Sequence, residues 1–237
     1  MSVDKSGDRV RQMFGEIAGR YDFLNHLLSF SMDRYWRWRA IRKAPPQGGL
    51  PILDICTGTG DLAFGYRRCS DAETLVMATD FCREMLLVGA KKARTSEAPI
   101  TWIEADSQQL PFPDGMFQIV SVAFGLRNIS DMDRGLREMA RVCAPGGRVM
   151  ILEFSMPGWQ PFAAIYRAYF RHLLPRIGQL LARNRAGAYN YLPQSVGEFP
   201  QGEQLADRLR AAGLSGVRWY PFTLGVATLY LAKRDST

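Results

Sequence analysis

The chain has 237 residues, 47% of them hydrophobic and 22% charged, with a formal net charge of +7, an ordinary globular composition that suits one domain with attachments. No apolar run approaches the roughly 18 residues of a membrane-spanning helix, and the opening MSVDKSGDRVRQ lacks the apolar stretch of a secretory signal, so a cytosolic protein is expected. Cys56, Cys69, Cys82 and Cys143 form no C-x-x-C and have only His26 and His172 to join them, which argues against a zinc site, a disulfide framework or metal catalysis and for buried free thiols.

Val10, Met13, Phe14, Ile17, Ala18 and Tyr21 recur at helical spacing, followed by Leu24, Leu27 and Leu28. They predict an N-terminal helical arm over 1–43 that APPQGGLP at 44–51 breaks. From 51 to 155 apolar strand-like runs alternate with helical ones. In order they are PILDI, a helix near 60–69, TLVMATD, a helix at 83–94, ITWIEAD, QIVSVAF, a helix at 131–143 and RVMILEF, with APGG at 144–147 turning the chain into the last run. This alternation predicts βαβ units and a mostly parallel sheet.

Residues 156–200 read as a helical insertion. Within it Phe162, Ile165, Tyr166, Tyr169, Phe170, Leu173, Leu174, Ile177, Leu180 and Leu181 follow an i, i+3, i+4, i+7 stripe, and Arg167, Arg171, Arg176 and Arg183 lie off it. The spacing predicts a basic amphipathic segment over 161–183, kinked or split at Pro175. Residues 201–237 read as a helix and two β-rich runs, VRWYPF and GVATLYLAKR, joined near Thr223–Leu224 as an antiparallel pair at the sheet edge.

The positive charge sits outside the glycine-rich part of the chain. Residues 1–50 carry nine Lys/Arg against five acids and 154–197 five arginines and no acid, whereas 51–153 carry eleven against fourteen. Basic flanks attract nucleic acid, an anionic membrane or an acidic substrate, and charge alone does not choose among them.

The central motif is ILDICTGTGDLAF at 52–64. Gly58-Thr59-Gly60-Asp61-Leu62-Ala63 fits G-x-G-x-x-A, and Asp80 falls 20 residues after Gly60, as in a dinucleotide site, so a nicotinamide-dependent oxidoreductase is one reading. Asp54 argues against it, because a carboxylate four residues before the first glycine faces a pyrophosphate unfavourably. The same carboxylate suits the cationic end of S-adenosylmethionine, which carries an amino group, a sulfonium, a ribose and an adenine but no phosphate. Asp80 is then placed to accept the ribose hydroxyls, and Asp106 with the Ser107 backbone to meet the adenine edge. Three acids at three successive strand ends form one wall beyond the carboxyl edge of an α/β sheet. No Lys-Ser/Thr follows the glycines, which excludes a P-loop.

YDFLNHLLSFSMDRYW (21–36), ILDICTGTGD (52–61), LPFPDGMF (110–117), FGLRNISD (124–131), RVCAPGGRVMILEFS (141–155) and AYNYLPQSVGEFP (188–200) together resemble the ubiquinone/menaquinone biosynthesis C-methyltransferases, from about Phe14 to the C-terminus. The resemblance implies a class I methyltransferase fold: an α/β, doubly wound, mostly parallel seven-stranded sheet with an antiparallel C-terminal strand. It implies S-adenosylmethionine as cofactor and a polyprenylated quinol as substrate. A peripheral anionic membrane surface becomes an expected partner and nucleic acid does not, while a homodimer stays open. A catalytically silent lipid-binding protein with this fold is the remaining alternative.

The cofactor-binding residues so expected are Asp54, Thr57, Gly58, Thr59, Gly60, Asp80, Phe81, Asp106, Ser107 and Ala123. Arg127, Asn128 and Tyr21 are the expected catalytic residues, with Arg127 stabilising a phenolate or serving instead as the partner of Glu153. Tyr21, Asp22 and Asn25 are read as a lid and His26 as a solvated surface residue. The chain departs from the family where Leu24 replaces the usual Met, Asp33 the usual His and Cys143-Ala144 a Leu-Lys pair, so no role of that histidine carries over.

Overall fold

The run ILDI has no polar face beyond Asp54, so it fits a strand covered on both sides. In the computed structural model, which describes residues 6–95, 99–173, 176 and 188–236, this run is β1 (Ile52–Ile55), buried along its length. β2 (Val76–Asp80), β3 (Thr101–Glu104), β4 (Phe117–Ala123), β5 (Cys143–Phe154), β6 (Leu214–Phe222) and β7 (Ala227–Arg234) complete a sheet of order β3-β2-β1-β4-β5-β7-β6. The pairs from β3 through β5 are parallel, and β7 runs antiparallel to both β5 and β6. The expected antiparallel pair is present, but β7 is inserted between β5 and β6. Only β6 of that pair lies at the edge, which accords with its alternating burial where β7 is mostly buried.

Alternate residues of the central strands enter two cores. Leu53, Ile55, Val120, Val122 and Ile151 pack with Leu136 and Met139 of α6 (Met132–Val142) and Leu205 and Leu209 of α9 (Glu203–Ala211). Ile52, Ile119, Met150 and Leu152 pack on the other face with Trp36, Ala40, Leu62 and Tyr66. Those partners come from α3 (Met32–Lys43) and α4 (Asp61–Cys69), while α5 (Arg83–Thr95) packs on β2 and β3.

The arm is three helices. α1 (Gly7–Ile17) passes through one 3-10 turn into α2 (Tyr21–Leu28), and α3 follows a turn in which Phe30 and Ser31 hold φ of +52° and +59°. Non-glycine residues adopt this left-handed region uncommonly, and here Ser29 Oγ fastens the turn by donating to Asp33 Oδ1 at 2.8 Å. Because α3 buries Trp36 and Ala40 against the sheet, the arm's last helix is part of the core.

The insertion begins as α7 (Phe162–Ala168), continues as a π-helical turn over Tyr169–Leu173 and returns as α8 (Ala188–Glu198). Leu174, Pro175, Ile177, Leu180, Leu181 and Arg183 of the predicted basic segment lie outside the described residues. Among the described residues no helix is long and apolar enough to cross a membrane. Of the cysteines, Cys82 and Cys143 are buried and Cys56 is intermediate, but Cys69 is exposed at the end of α4, contrary to the expectation of four buried thiols.

Candidate active site

Beyond the carboxyl ends of the parallel strands lies a cavity of about 420 Å³. Asp54, Thr57, Gly58, Thr59, Asp80, Phe81, Asp106, Ser107, Ala123, Asn128 and Tyr21 all line it. This volume falls in the range of small-molecule sites, and its place at the strand ends is where open α/β sheets bind ligands.

Asp54 is buried in β1, where its Oδ2 accepts from Thr57 Oγ1 at 2.6 Å and its Oδ1 from Ser121 Oγ at 2.9 Å. Burial pushes its carboxyl up to about 7 against the pull of those two donors, and it makes no ion pair among the described residues. Asp80 holds the glycine loop from beneath, accepting Gly58 N–H at 2.8 Å on one oxygen and Cys82 N–H at 2.9 Å on the other. Burial pushes its carboxyl up to about 6, opposed by these backbone donors. Each oxygen keeps further acceptor capacity. Asp106 is exposed at the rim and accepts from the Gln108 backbone at 2.9 Å, while Ser107 is buried with its Oγ 3.2 Å from Cys56 Sγ.

The two glycines of the loop serve different ends. At Gly58 (φ +58°) a β-carbon would meet nothing nearer than Tyr21 Cε1 at 3.8 Å, so the backbone faces open cavity. At Gly60 (φ +89°) it would stand 2.3 Å from Trp102 Cη2. Gly60 is not among the residues that line the cavity, and the side chain it lacks makes room for the indole of β3.

Phe14, Tyr21, Arg37 and Phe124 form a wall shared with a second chamber of about 280 Å³. This chamber is aromatic and aliphatic, enclosed by Met13 and Ile17 of α1, Leu28 of α2, Phe154, and Phe162, Tyr166 and Phe170 of the insertion. Of the stripe predicted over 161–183, Phe162, Tyr166, Tyr169 and Phe170 therefore roof a chamber, whereas Ile165 and Leu173 are exposed and do not line it. Burial raises the Tyr21 phenol above its ordinary value, with the nearby Arg127 charge and a hydrogen bond with Asn25 opposing.

Arg127 lines the apolar chamber and not the first cavity. Its Nη1 donates to Glu153 Oε2 at 2.9 Å and to the Phe124 carbonyl, and its backbone N–H donates to Glu153 Oε1 at 3.1 Å. Arg127 and Asn128, both expected catalytic residues, line different cavities. Both lie in a 3-10 turn, Leu126–Asn128, whose tight winding sends successive side chains in different directions. Arg127 thus meets Glu153, and Asn128 enters the first cavity with its buried Oδ1 lacking a partner among the described residues.

Asp22 is a tether between the arm and the loop. It accepts from Thr59 Oγ1 and, at 2.7 Å, from Lys92 Nζ of α5, which also reaches Asp61 Oδ1 at 3.1 Å. Arg37 Nη1 lies 2.6 Å from Asp33 Oδ2 and 3.8 Å from Asp61 Oδ2. Burial works against the Arg37 charge, yet Asp61 and Asp33 outweigh it and raise its affinity for the proton. His26 is partly buried with Nδ1 2.9 Å from Asp33 Oδ2, so it is not the solvated residue expected. Asp33, where the family usually has His, belongs to this ion-pair chain.

Arg37 is the functional candidate that sequence reasoning missed. It is buried, lines both cavities, and among the described residues its side chain hydrogen-bonds through Nη1 alone. Its spacing of four from Asp33 on a helix was a legible sign of that pairing.

The sequence profile described as the ubiE/COQ5 methyltransferase family matches residues 2–234. The demethylmenaquinone methyltransferase of Thermus thermophilus is 46% identical over 94% of this chain and 100% of its own length. The ubiquinone/menaquinone biosynthesis C-methyltransferase UbiE of Geobacter sulfurreducens is 42% identical over 98% of this chain and 91% of its own. A solved SAM-dependent methyltransferase of Aquifex aeolicus superposes with a TM-score of 0.61 at 16% identity, covering 83% of this chain and 88% of its own. The [4+2]-cyclase SpnF does so at 0.65 and 18%, covering 87% and 82%. One of these two neighbours is titled a cyclase, so the shared architecture specifies the fold and not the reaction. The profile match and the identity of the relatives, both extending across nearly the whole chain, place this protein in the ubiE/COQ5 methyltransferase family.

Proposed function

We propose that this chain transfers the methyl group of S-adenosylmethionine to a ring carbon of a polyprenylated quinol precursor, with a demethylmenaquinol as the preferred substrate. The carrying observation is the common wall of Phe14, Tyr21, Arg37 and Phe124 between a carboxylate-lined cavity and an aromatic chamber.

The first cavity fits the cofactor by the chemistry of its donors and acceptors. Asp54 offers a carboxylate without a counter-ion to an amino group, Asp80 offers acceptors to ribose hydroxyls, and Asp106 with Ser107 meets an adenine edge. Arg37 answers the carboxylate at the other end. When bound, the cofactor supplies an electrophilic methyl group on a sulfonium.

The chain's own residues then position the quinol and exclude water, which accounts for much of such catalysis. Phe154, Tyr166 and Phe170 hold the apolar part of the substrate. The Arg127 guanidinium, permanently charged and 5.4 Å from the Phe154 ring centroid, stabilises the ionised ring hydroxyl that makes the neighbouring carbon nucleophilic. Asn128 and the Tyr21 phenol fix ring oxygens at the shared wall. A pyrophosphate would meet Asp54 and Asp80 in this cavity, which disfavours the nicotinamide reading. A polyprenyl tail resides in lipid, so the protein works peripherally at an anionic membrane, with exposed Arg167 and Arg171 contacting its surface.

Incubation with labelled S-adenosylmethionine and a short-tailed demethylmenaquinol tests the reading. Label on a ring carbon is expected. Absence of transfer, together with thermal stabilisation by NAD and none by S-adenosylmethionine, would overturn it.

A further inference from the structure

Exposed apolar and aromatic side chains lie on the elements that line the aromatic chamber. Phe30 lines the chamber yet is 78% exposed, its ring 6.3 Å from that of Tyr169. Leu224, 60% exposed, projects from the turn between β6 and β7, and Trp36 Nε1 holds that turn to α3 by donating to Thr223 Oγ1 at 2.8 Å. On the outward side of α3, Trp38 is 50% exposed and its ring lies 6.0 Å from that of exposed Tyr35. The guanidinium of Arg42 sits 5.1 Å from the Trp38 ring centroid and that of Arg39 5.8 Å from the Tyr35 centroid. Arg34 is exposed on the same helix, and the helix's one acid, Asp33, is buried and paired with Arg37.

We propose that the outward side of α3, with Phe30 and Leu224, seats the protein on an anionic bilayer so that the chamber opens directly into lipid. This rests on the quinol reading above. Exposed Trp and Tyr interleaved with arginine suit the headgroup region, where the rings sit at the apolar boundary and the guanidinium groups meet phosphate. α3 itself carries no exposed acid, so its charge complements an anionic surface and not a neutral one. α3 is too short to span and lies flat, as interfacial helices do. Phe30 joins the two functions: it belongs both to the docked surface and to the chamber rim, where a tail leaving the bilayer enters.

Sedimentation with vesicles of phosphatidylcholine, with and without phosphatidylglycerol, tests the surface. The wild type is expected to partition onto the anionic vesicles alone. Arg34→Gln with Arg42→Gln should weaken binding about 25-fold, at about 5-fold per charge removed (about 1 kcal/mol each). Adding Trp38→Ser and Leu224→Ser should weaken it further, leaving only the contribution of Arg167 and Arg171. Methyl transfer to a short-tailed quinol in buffer should be unchanged in these variants, while transfer to a long-tailed quinol in anionic vesicles falls at least tenfold. The double arginine variant changes only exposed positions, so it decides the question even if the fourfold variant fails to fold. Binding of both variants equal to wild type, equal partition onto neutral vesicles, or a self-association that the variants lose would overturn the proposal. Inactivity of the wild type on the short-tailed quinol would instead count against the function, leaving the sedimentation result to stand alone.

Discussion

Arg127 Nη1 lies 2.9 Å from Glu153 Oε2, and both side chains are buried at the end of β4 and β5. A buried pair contributes little net stability when intact but is costly to break, because the remaining charge loses its partner. Glu153→Gln is therefore expected to destabilise the fold by roughly 3–5 kcal/mol. Arg127→Lys keeps the charge but removes the planar guanidinium, whose Nη1 reaches both Glu153 Oε2 and the Phe124 carbonyl. It should slow single-turnover methyl transfer by about 10²-fold, the order found when one such donor is removed, with cofactor affinity nearly unchanged because Arg127 is outside the first cavity. A Lys variant with normal turnover and a lowered melting temperature would reduce Arg127 to a brace.

Asp54 at about 7 and Asp80 at about 6 both stand above the ordinary 3.8. A raised carboxyl holds its proton more tightly in the folded chain than in the unfolded one. These groups thus favour the fold below about pH 3.8, and that contribution is lost as pH rises through 6 to 7. A cationic ligand reverses the preference at Asp54, so cofactor affinity is expected to rise between pH 5.5 and 7.5 and then level off. Calorimetry in buffers of different ionisation enthalpy should register proton release on binding near pH 6.5. Asp54→Asn should bind more weakly, with a flatter profile, and an unchanged profile in that variant would remove Asp54 from the titration.

The two glycines of the loop should separate stability from binding. Gly60→Ala puts a methyl group against Trp102 at a left-handed position, and a loss of roughly 2–5 kcal/mol is expected. Gly58→Ala carries the backbone cost alone, roughly 1–2 kcal/mol, but points its methyl group into the cavity and should weaken cofactor binding more than Gly60→Ala. Melting curves with and without cofactor would show whether the order holds.

The layout of the sheet was legible because β1 and β4 are apolar on both faces and the glycine loop follows the first of them. Asp80 at the end of β2, Asp54 near the end of β1 and Asp106 just beyond β3 were legible for the same reason, since the carboxyl edge of the sheet fixes which side chains reach the cavity. The division between Gly58 and Gly60 was not, because the demand at Gly60 comes from Trp102, some forty residues further along the chain. That Arg127 and Asn128 line different cavities was not legible, because a single 3-10 turn decides their directions and no periodicity marks such a turn. Arg37 was hidden among the arginines of α3, where only packing against Asp33 and Asp61 distinguishes it from its exposed neighbours.

The wall formed by Phe14, Tyr21, Arg37 and Phe124 separates two compartments that, on the proposed reading, are supplied from different phases. The cofactor is a polar solute delivered by water, and the quinol is an oil-soluble molecule that diffuses in two dimensions. Neither needs to enter the other's medium if the reacting atoms meet at the wall. The spent cofactor can then exchange with bulk water while the tail keeps its place in lipid, and turnover does not require the protein to leave the surface between successive substrates.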